Sequence, residues 1–230
     1  MELHRLGEAA WLAYLTDEPS AVRLAARIRQ SAPAWLEDVV PAYASVGVYF
    51  DADRVSGEAV ADWLSLVGQA RRDGPVTPGL TYRTLSVPVC YDRGPDLPAV
   101  AARLRLPIDA VIALHTSVTF TVHAIGFVPG FPYMGYLPDA LCGVPRLDSP
   151  RVRVEPGSVG ITGRQTGIYP LPRPGGWPLI GQTPLTLVDV ADGFFPLRVG
   201  DRISFRRIDS AEYDQLHGER LSRPIPEETP

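Results

Sequence analysis

A chain of 230 residues that is 45% hydrophobic and 21% charged can bury one large core or two small ones, and it is too apolar for wholesale disorder. Its net charge of -4 removes the cationic surface on which nonspecific nucleic-acid and acidic-membrane binding depend, so neither partner is expected. Its two cysteines, Cys90 and Cys142, are too few for a disulfide framework and too distant for a paired-cysteine metal motif, so no metal site is expected either.

The apolar run Ala9–Leu15 is short, the pattern of a buried strand rather than of a signal or membrane segment, and a cytoplasmic location is the expectation. Pro19-Ser20 then open a helix whose Ala21, Leu24, Ala25 and Ile28 keep helical spacing. Tyr43–Phe50 reads as a second strand, and Gly57–Ala70 as a helix with Val60, Trp63, Leu64 and Val67 on one face. This strand, helix, strand, helix order predicts an α+β chain that begins with a small ferredoxin-like α/β domain over 1–80. Arg71–Leu80 loses periodicity and collects turn formers, which places the domain boundary there.

Beyond it come a strand at Leu85–Tyr91, two short helices at Leu97–Arg105 and Asp109–His115, and an alternating strand at Val118–Ala124. Further strands are predicted at Arg151–Glu155, Ser158–Thr162, Leu185–Asp189, Phe195–Val199 and Arg202–Ile208, separated by Gly and Pro turns. Short strands so spaced predict a β-barrel or sandwich over 81–218. The polar, Pro-rich stretch 219–230 is expected to be a disordered tail. The two helices have helix-turn-helix spacing, but Asp109–Leu114 holds no Arg, Lys, Asn or Gln to read bases.

No nucleophile elbow, Walker A loop, His-Glu-x-x-His helix or dinucleotide fingerprint is present. Chemistry concentrates instead in three runs rich in Gly and Pro. In Gly126–Tyr133, Pro129 and Gly130 stiffen a loop that displays Phe131 and Tyr133, either as a binding wall or as aromatics plugging a barrel end. In Pro156–Pro170, Gln165 and Thr166 stand between Gly163 and Gly167, ahead of Tyr169. A glutamine amide donates and accepts in one plane and so matches a lactam or ureido group, although a plain solvent-facing turn fits the same residues. In Pro174–Pro184, a diglycine presents Trp177, a residue that is as well suited to scaffolding. His115 ends a predicted helix, where the dipole raises proton affinity, and can serve as acid, base or cap. Arg151 can pair with a carboxylate or phosphate.

The motifs Gly-x-Gln-Thr-Gly-Ile-Tyr-Pro at 163–170 and Pro-Gly-Gly-Trp at 174–177 resemble those of the B subunit of bacterial 5-oxoprolinase. Val40-Pro41-Ala42-Tyr43, Pro88-Val89-Cys90-Tyr91, Leu114-His115 and Val199-Gly200-Asp201 extend the resemblance over nearly the whole chain. That family is also labelled allophanate hydrolase subunit 1 and includes a sporulation-kinase inhibitor. The resemblance implies a cyclophilin-like β-barrel behind the small domain, and a polypeptide inactive alone. With a homologous C subunit and a separate A subunit it would open 5-oxoproline to L-glutamate. ATP would be used at the level of the complex, without being held tightly by this chain. Gln165 would then take the lactam amide, Arg151 a carboxylate or phosphate, and His115 a proton or phosphate. Pro129, Gly130, Phe131, Tyr133, Thr166, Tyr169 and Trp177 would bind substrate. The same domain pair occurs fused in urea carboxylase, so a urea or allophanate-type substrate is one alternative, and inhibition of a sensor histidine kinase another. Phe120 in place of the family's usual Tyr, a short loop at Asp92–Pro95, and Met134-Gly135-Tyr136 in place of Leu-Gly-Gly bear on the substrate more than on the fold.

Overall fold

The computed structural model describes residues 1–69 and 83–222. The chain divides between Thr81 and Tyr82 into two compact units. The boundary segment predicted at Arg71–Leu80 lies outside the described residues, as does 223–230 of the predicted tail.

The first unit runs β1 (Glu2–Arg5), β2 (Ala10–Tyr14), α1 (Glu18–Ser31), β3 (Leu36–Ala42), β4 (Ser45–Phe50) and α2 (Gly57–Gln69). Asp17 starts α1 by accepting a hydrogen bond from the Ser20 amide at 2.7 Å, and a proline in the first turn gives up no needed donor. Ala21, Leu24, Ala25 and Ile28 then face the sheet, where they pack with Val46, Val48 and Phe50 and with Val60 and Leu64 of α2. Full burial of Leu24 or Ile28 contributes about 2 kcal/mol each. The antiparallel sheet has the order β1-β2-β4-β3.

This departs from the ferredoxin-like expectation. A β-α-β-β-α-β unit closes its sheet with a strand after the second helix, whereas here β1, at the start of the chain, takes the edge beside β2. Neither β1 nor β3 announces itself in the sequence. The Glu2–Arg5 edge is mostly exposed, and β3 carries Pro41 and a register shift between Leu36 and Asp38 that break its alternation.

The second unit opens with β5 (Thr84–Cys90), a 3-10 turn at Tyr91–Arg93, α3 (Leu97–Leu104), α4 (Ile108–Thr116), β6 (Thr119–Ile125) and β7 (Pro132–Gly135). It continues with β8 (Arg151–Val154), β9 (Ser158–Thr162), β10 (Gln165–Ile168), β11 (Arg173–Gly175), β12 (Leu179–Gln182), β13 (Arg202–Ile208) and α5 (Ser210–Leu216). Seven strands close a barrel in the order β10-β7-β6-β13-β5-β12-β9, while β8 and β11 form a separate ribbon. β5 and β13 run parallel. Val87, Phe120, Met134, Ile161, Ile168 and Phe205 fill the barrel, and Val100, Val111 and Ile112 of α3 and α4 join the same core. Arg83 and Asp201 lock one side of it through a 2.5 Å ion pair in which Asp201 is almost wholly buried.

Three expectations for this unit are corrected. Leu185–Asp189 and Phe195–Val199 are not barrel strands; they contribute isolated bridges, Thr186 with Arg220 and Asp189 with Phe194, because Pro184 and Pro196 remove ladder donors. The strands β7, β10, β11 and β12 are present instead, in segments whose Gly and Pro content predicts loops. The start of the predicted tail is ordered, since Leu221 is 3% exposed and its amide donates to the Thr186 carbonyl at 3.1 Å. Among the described residues, no helix is long and apolar enough to cross a membrane.

Candidate functional site

His115 lies inside the barrel unit with no exposed surface. Its Nδ1 is 2.7 Å from the Tyr91 hydroxyl and its Nε2 is 3.0 Å from the Thr166 hydroxyl. Thr166 in turn donates to the Gly160 carbonyl at 3.1 Å. A threonine has one proton to give, so the proton between His115 and Thr166 belongs to Nε2, and Tyr91 donates to Nδ1. The chain of donors is thereby complete without a charge. The ring stacks on Phe205 at 4.5 Å and lies beside Phe120 at 5.3 Å. Burial pushes the imidazole down to about 3 and the Tyr91 phenol above its ordinary range.

Two predicted assignments are therefore corrected. The helix end does not raise the proton affinity of His115, because desolvation outweighs the dipole, and the ring has no access to proton or phosphate at a surface. Thr166 is fully buried as its partner and is not part of a substrate wall.

Arg151 opens β8, and its Nη2 donates to Asp96 Oδ1 at 2.6 Å. The other oxygen of Asp96 accepts the Leu179 amide at 2.6 Å, so the guanidinium helps tie the start of α3 to β8 and β12. This corrects its assignment as a free fork for a substrate anion. Its Nη1 is buried with no hydrogen-bond partner among the described residues. His115, Arg151 and Gln165 thus do not converge on one hollow.

Gln165 has a different setting. Met134 on β7 and Thr166 and Ile168 on β10 point into the barrel, so the pleat turns Tyr133, Gly135, Gln165 and Gly167 outward. Pairing sets Gln165 opposite Gly135 and Gly167 opposite Tyr133. Only a glycine fits at 167, where a Cβ would lie 2.8 Å from Phe131 Cζ.

Phe131, Tyr169 and Trp177 form a small second core with Val128, Val154 and Leu179. Their rings meet edge to face, Phe131 at 5.1 Å from Tyr169 and 5.6 Å from Trp177. With 1–5% of their surfaces exposed, these three are scaffold rather than contact surface. Tyr133 is the half-buried ring of the group, 4.9 Å from Phe131, and burial raises its phenol against the pull of Arg146. Pro129 is exposed at the turn, and Gly130 packs directly on Val188. Phe127, at φ 67 and 59% exposed, stands against Phe131 and Tyr169.

Three residues outside the predicted site border Gln165. His123 lies on β6, where the register shifts between Val122 and Ala124, and its ring covers Gly135. It contacts the Tyr136 ring at 5.3 Å, and the Arg164 guanidinium sits 5.0 Å from that same ring. An amide, an imidazole, a phenol and a guanidinium therefore share one outward face beside Tyr133. Such a set can hold a planar amide, balance a carboxylate and exchange a proton. The signal in the sequence is that His123 occupies the polar phase of an alternating strand, which turns it outward. Among the described residues, no group of three or more His, Cys, Asp or Glu side chains could hold a metal ion.

Residues 1–193 match the family model described as the carboxyltransferase domain, subdomain C and D. The chain is 37% identical over 196 residues to the B subunit of 5-oxoprolinase from Bacillus subtilis (strain 168), covering 80% of each. It is 51% identical over 126 residues to the corresponding 5-oxoprolinase B subunit of Escherichia coli O157:H7, covering 54% of this chain and 57% of that one. Among solved structures, TTHA0988 in space group P212121 superposes with a TM-score of 0.73 at 36% identity. That match covers 87% of this chain, which spans only 40% of the TTHA0988 chain. Kluyveromyces lactis urea carboxylase shares the fold, with a TM-score of 0.71 at 15% identity over 93% of this chain and 22% of its own. A family model spanning residues 1–193 takes in the small unit and six of the seven barrel strands, a relative is matched over 80% of both chains, and the chain belongs to the family of 5-oxoprolinase B subunits.

Proposed function

We propose that this chain is the B subunit of a cytoplasmic ATP-dependent 5-oxoprolinase, opening 5-oxoproline to L-glutamate together with the C and A subunits. The observation that carries this reading is the 37% identity to the Bacillus subtilis relative across 80% of both chains. An unstrained lactam is a poor electrophile, and ATP, used by the complex, supplies the activation that its carbonyl oxygen needs.

In this reading the part of this chain is binding and orientation on the outer face of β6, β7 and β10. Gln165 pairs with the lactam in one plane, accepting from its N–H and donating to its carbonyl. Arg164 balances the substrate carboxylate, Tyr133 and Tyr136 flank the ring, and His123 takes up or returns the proton on the lactam nitrogen. These groups position a reaction without supplying a phosphoryl donor, so the isolated chain is inactive.

The test is co-expression with the C and A subunits, followed by measurement of 5-oxoproline-dependent ADP release, with the chain alone as control. Activity of the complex and none from the single chain is the expected result. Gln165→Ala should lower kcat/KM about 10- to 100-fold through loss of two hydrogen bonds. Turnover of urea-type substrates in place of 5-oxoproline, or an unaffected Gln165→Ala complex, would overturn the reading.

A further inference from the structure

The barrel unit contains a cavity of about 680 Å³ that is separate from the outer face, and none of the side chains placed on that face lines it. Pro156, Pro170 and Pro184, with Leu171, Leu185 and Val188, provide its apolar walls. Proline rings have no rotamers to freeze, so these walls are already in place before any ligand arrives. The volume falls within the range of sites for ligands of drug size.

Charge of both signs borders the cavity. The Arg93 guanidinium lies 3.9 Å from the Tyr213 ring centroid and pairs with Asp214 at 3.3 Å. Both partners of that pair are substantially exposed, at 41% and 72%, so the contact is weak and exchanges readily for a ligand carboxylate. Glu155, on the turn between β8 and β9, is held below the usual carboxylate range by its hydrogen bond to Arg153 and remains anionic. His217 stacks on the Tyr213 ring at 5.8 Å, and Gln182 is fixed by donating to the Pro156 carbonyl at 2.8 Å.

These features discriminate between ligand classes. A polyphosphate would meet two ion pairs, Arg93 with Asp214 and Arg153 with Glu155, and, among the described residues there, no unpaired cation to receive its several charges. A purely apolar ligand would strip water from charges and return nothing to them. A molecule with an ammonium at one end, a carboxylate at the other and aliphatic surface between satisfies every wall.

We propose that this cavity is a binding site for a short peptide with free termini, its carboxylate on Arg93, its ammonium on Glu155, and its side chains against the prolines. The test is titration calorimetry on the full chain with Ala-Leu-Ala, the same tripeptide acetylated and amidated at its ends, and ATP. Free Ala-Leu-Ala should bind saturably at one site, about tenfold or more tighter than the capped form, in line with loss of charged hydrogen bonds. Arg93→Ala should shrink that difference to the share carried by the ammonium on Glu155. Leu171→Trp, which narrows the cavity at an apolar wall, should weaken binding while the chain keeps its melting temperature. The proposal is overturned if the free tripeptide shows no saturable binding up to about 10 mM, if capped and free forms bind alike, if ATP binds tighter, or if neither substitution matters.

Discussion

Replacing His115 by glutamine exchanges a sealed imidazole for an amide of similar reach that cannot titrate. In the folded chain, burial holds the imidazole at about 3, while in the unfolded chain it returns to about 6.5. Between those values the unfolded state carries a proton that the folded state does not, so stability rises with pH. The contribution is fully present above about pH 6.5 and is lost progressively as pH falls toward about 3. Between about pH 7.5 and pH 5.0 the loss amounts to about 2 kcal/mol, one and a half pH units below the unfolded value at 1.4 kcal/mol each. At neutral pH, His115→Gln should itself cost about 2 kcal/mol, because the hydrogen bonds to Tyr91 and Thr166 are made imperfectly and the stack on Phe205 is lost. The two chains should therefore differ in stability at pH 7.5 and converge at pH 5.0. Urea unfolding of both at the two pH values, read by proteolysis of the unfolded fraction, measures this directly, since all other titrating groups are common and cancel. A gap between the chains that stays constant with pH would show that His115 is not buried neutral, and the ladder derived for it would be wrong.

Neighbours on β10 should respond oppositely. Thr166→Val removes the acceptor for the His115 N–H and should cost about 1–3 kcal/mol of stability in a thermal melt, lowering the kcat/KM of the assembled complex only as far as it loosens β10 and less than Gln165→Ala does. Gln165→Ala should cost less stability in the melt than Thr166→Val while lowering kcat/KM more. Arg83→Ala strands the almost wholly buried Asp201 carboxylate and should destabilise the barrel unit by about 3 kcal/mol in urea unfolding. Gly167→Ala places a methyl 2.8 Å from Phe131 Cζ and 3.0 Å from the Pro132 carbonyl, so a loss of about 1–3 kcal/mol and an altered Trp177 environment in near-UV circular dichroism are expected.

Elements that bury one regular stripe are legible in the sequence. The helical faces Ala21–Ile28 and Val60–Val67 are readable from periodicity because their burial follows a single period, and the strands Ser158–Thr162, buried throughout, and Arg202–Ile208 are readable as short runs bounded by turn formers. Strands such as Pro132–Gly135 and Gln165–Ile168 are not. Each lasts only four residues and spends outward positions on glycine, so the pleat leaves too little alternation to detect. The same limit governs the site. Gln165 is found through the chemistry of its amide. His123 and Tyr136 escape selection because only the fold brings β6 and β7 against β10. His115 misleads for a related reason: a helix-end histidine looks the same in sequence whether the helix end meets solvent or the inside of a barrel.

The Gly-x-Gln-Thr-Gly stretch thus combines two functions that composition cannot separate. Thr166 points inward and fastens β10 to α4 through His115, and to β9 through the Gly160 carbonyl. Gln165 points outward on the same strand, and its backbone is pinned on both sides by pairing to Gly135 and Thr162. The glycine at 167 lets Phe131 settle on the strand and couples β10 to the aromatic core behind it. A strand held from three directions fixes the Cα and Cβ of Gln165, so only its own χ angles remain to be ordered when the amide meets one planar partner. The buried histidine is in this sense a positioning residue. Its effect on catalysis should appear only as far as His115 variants loosen β10, and should vanish in any variant that restores the ladder without an imidazole.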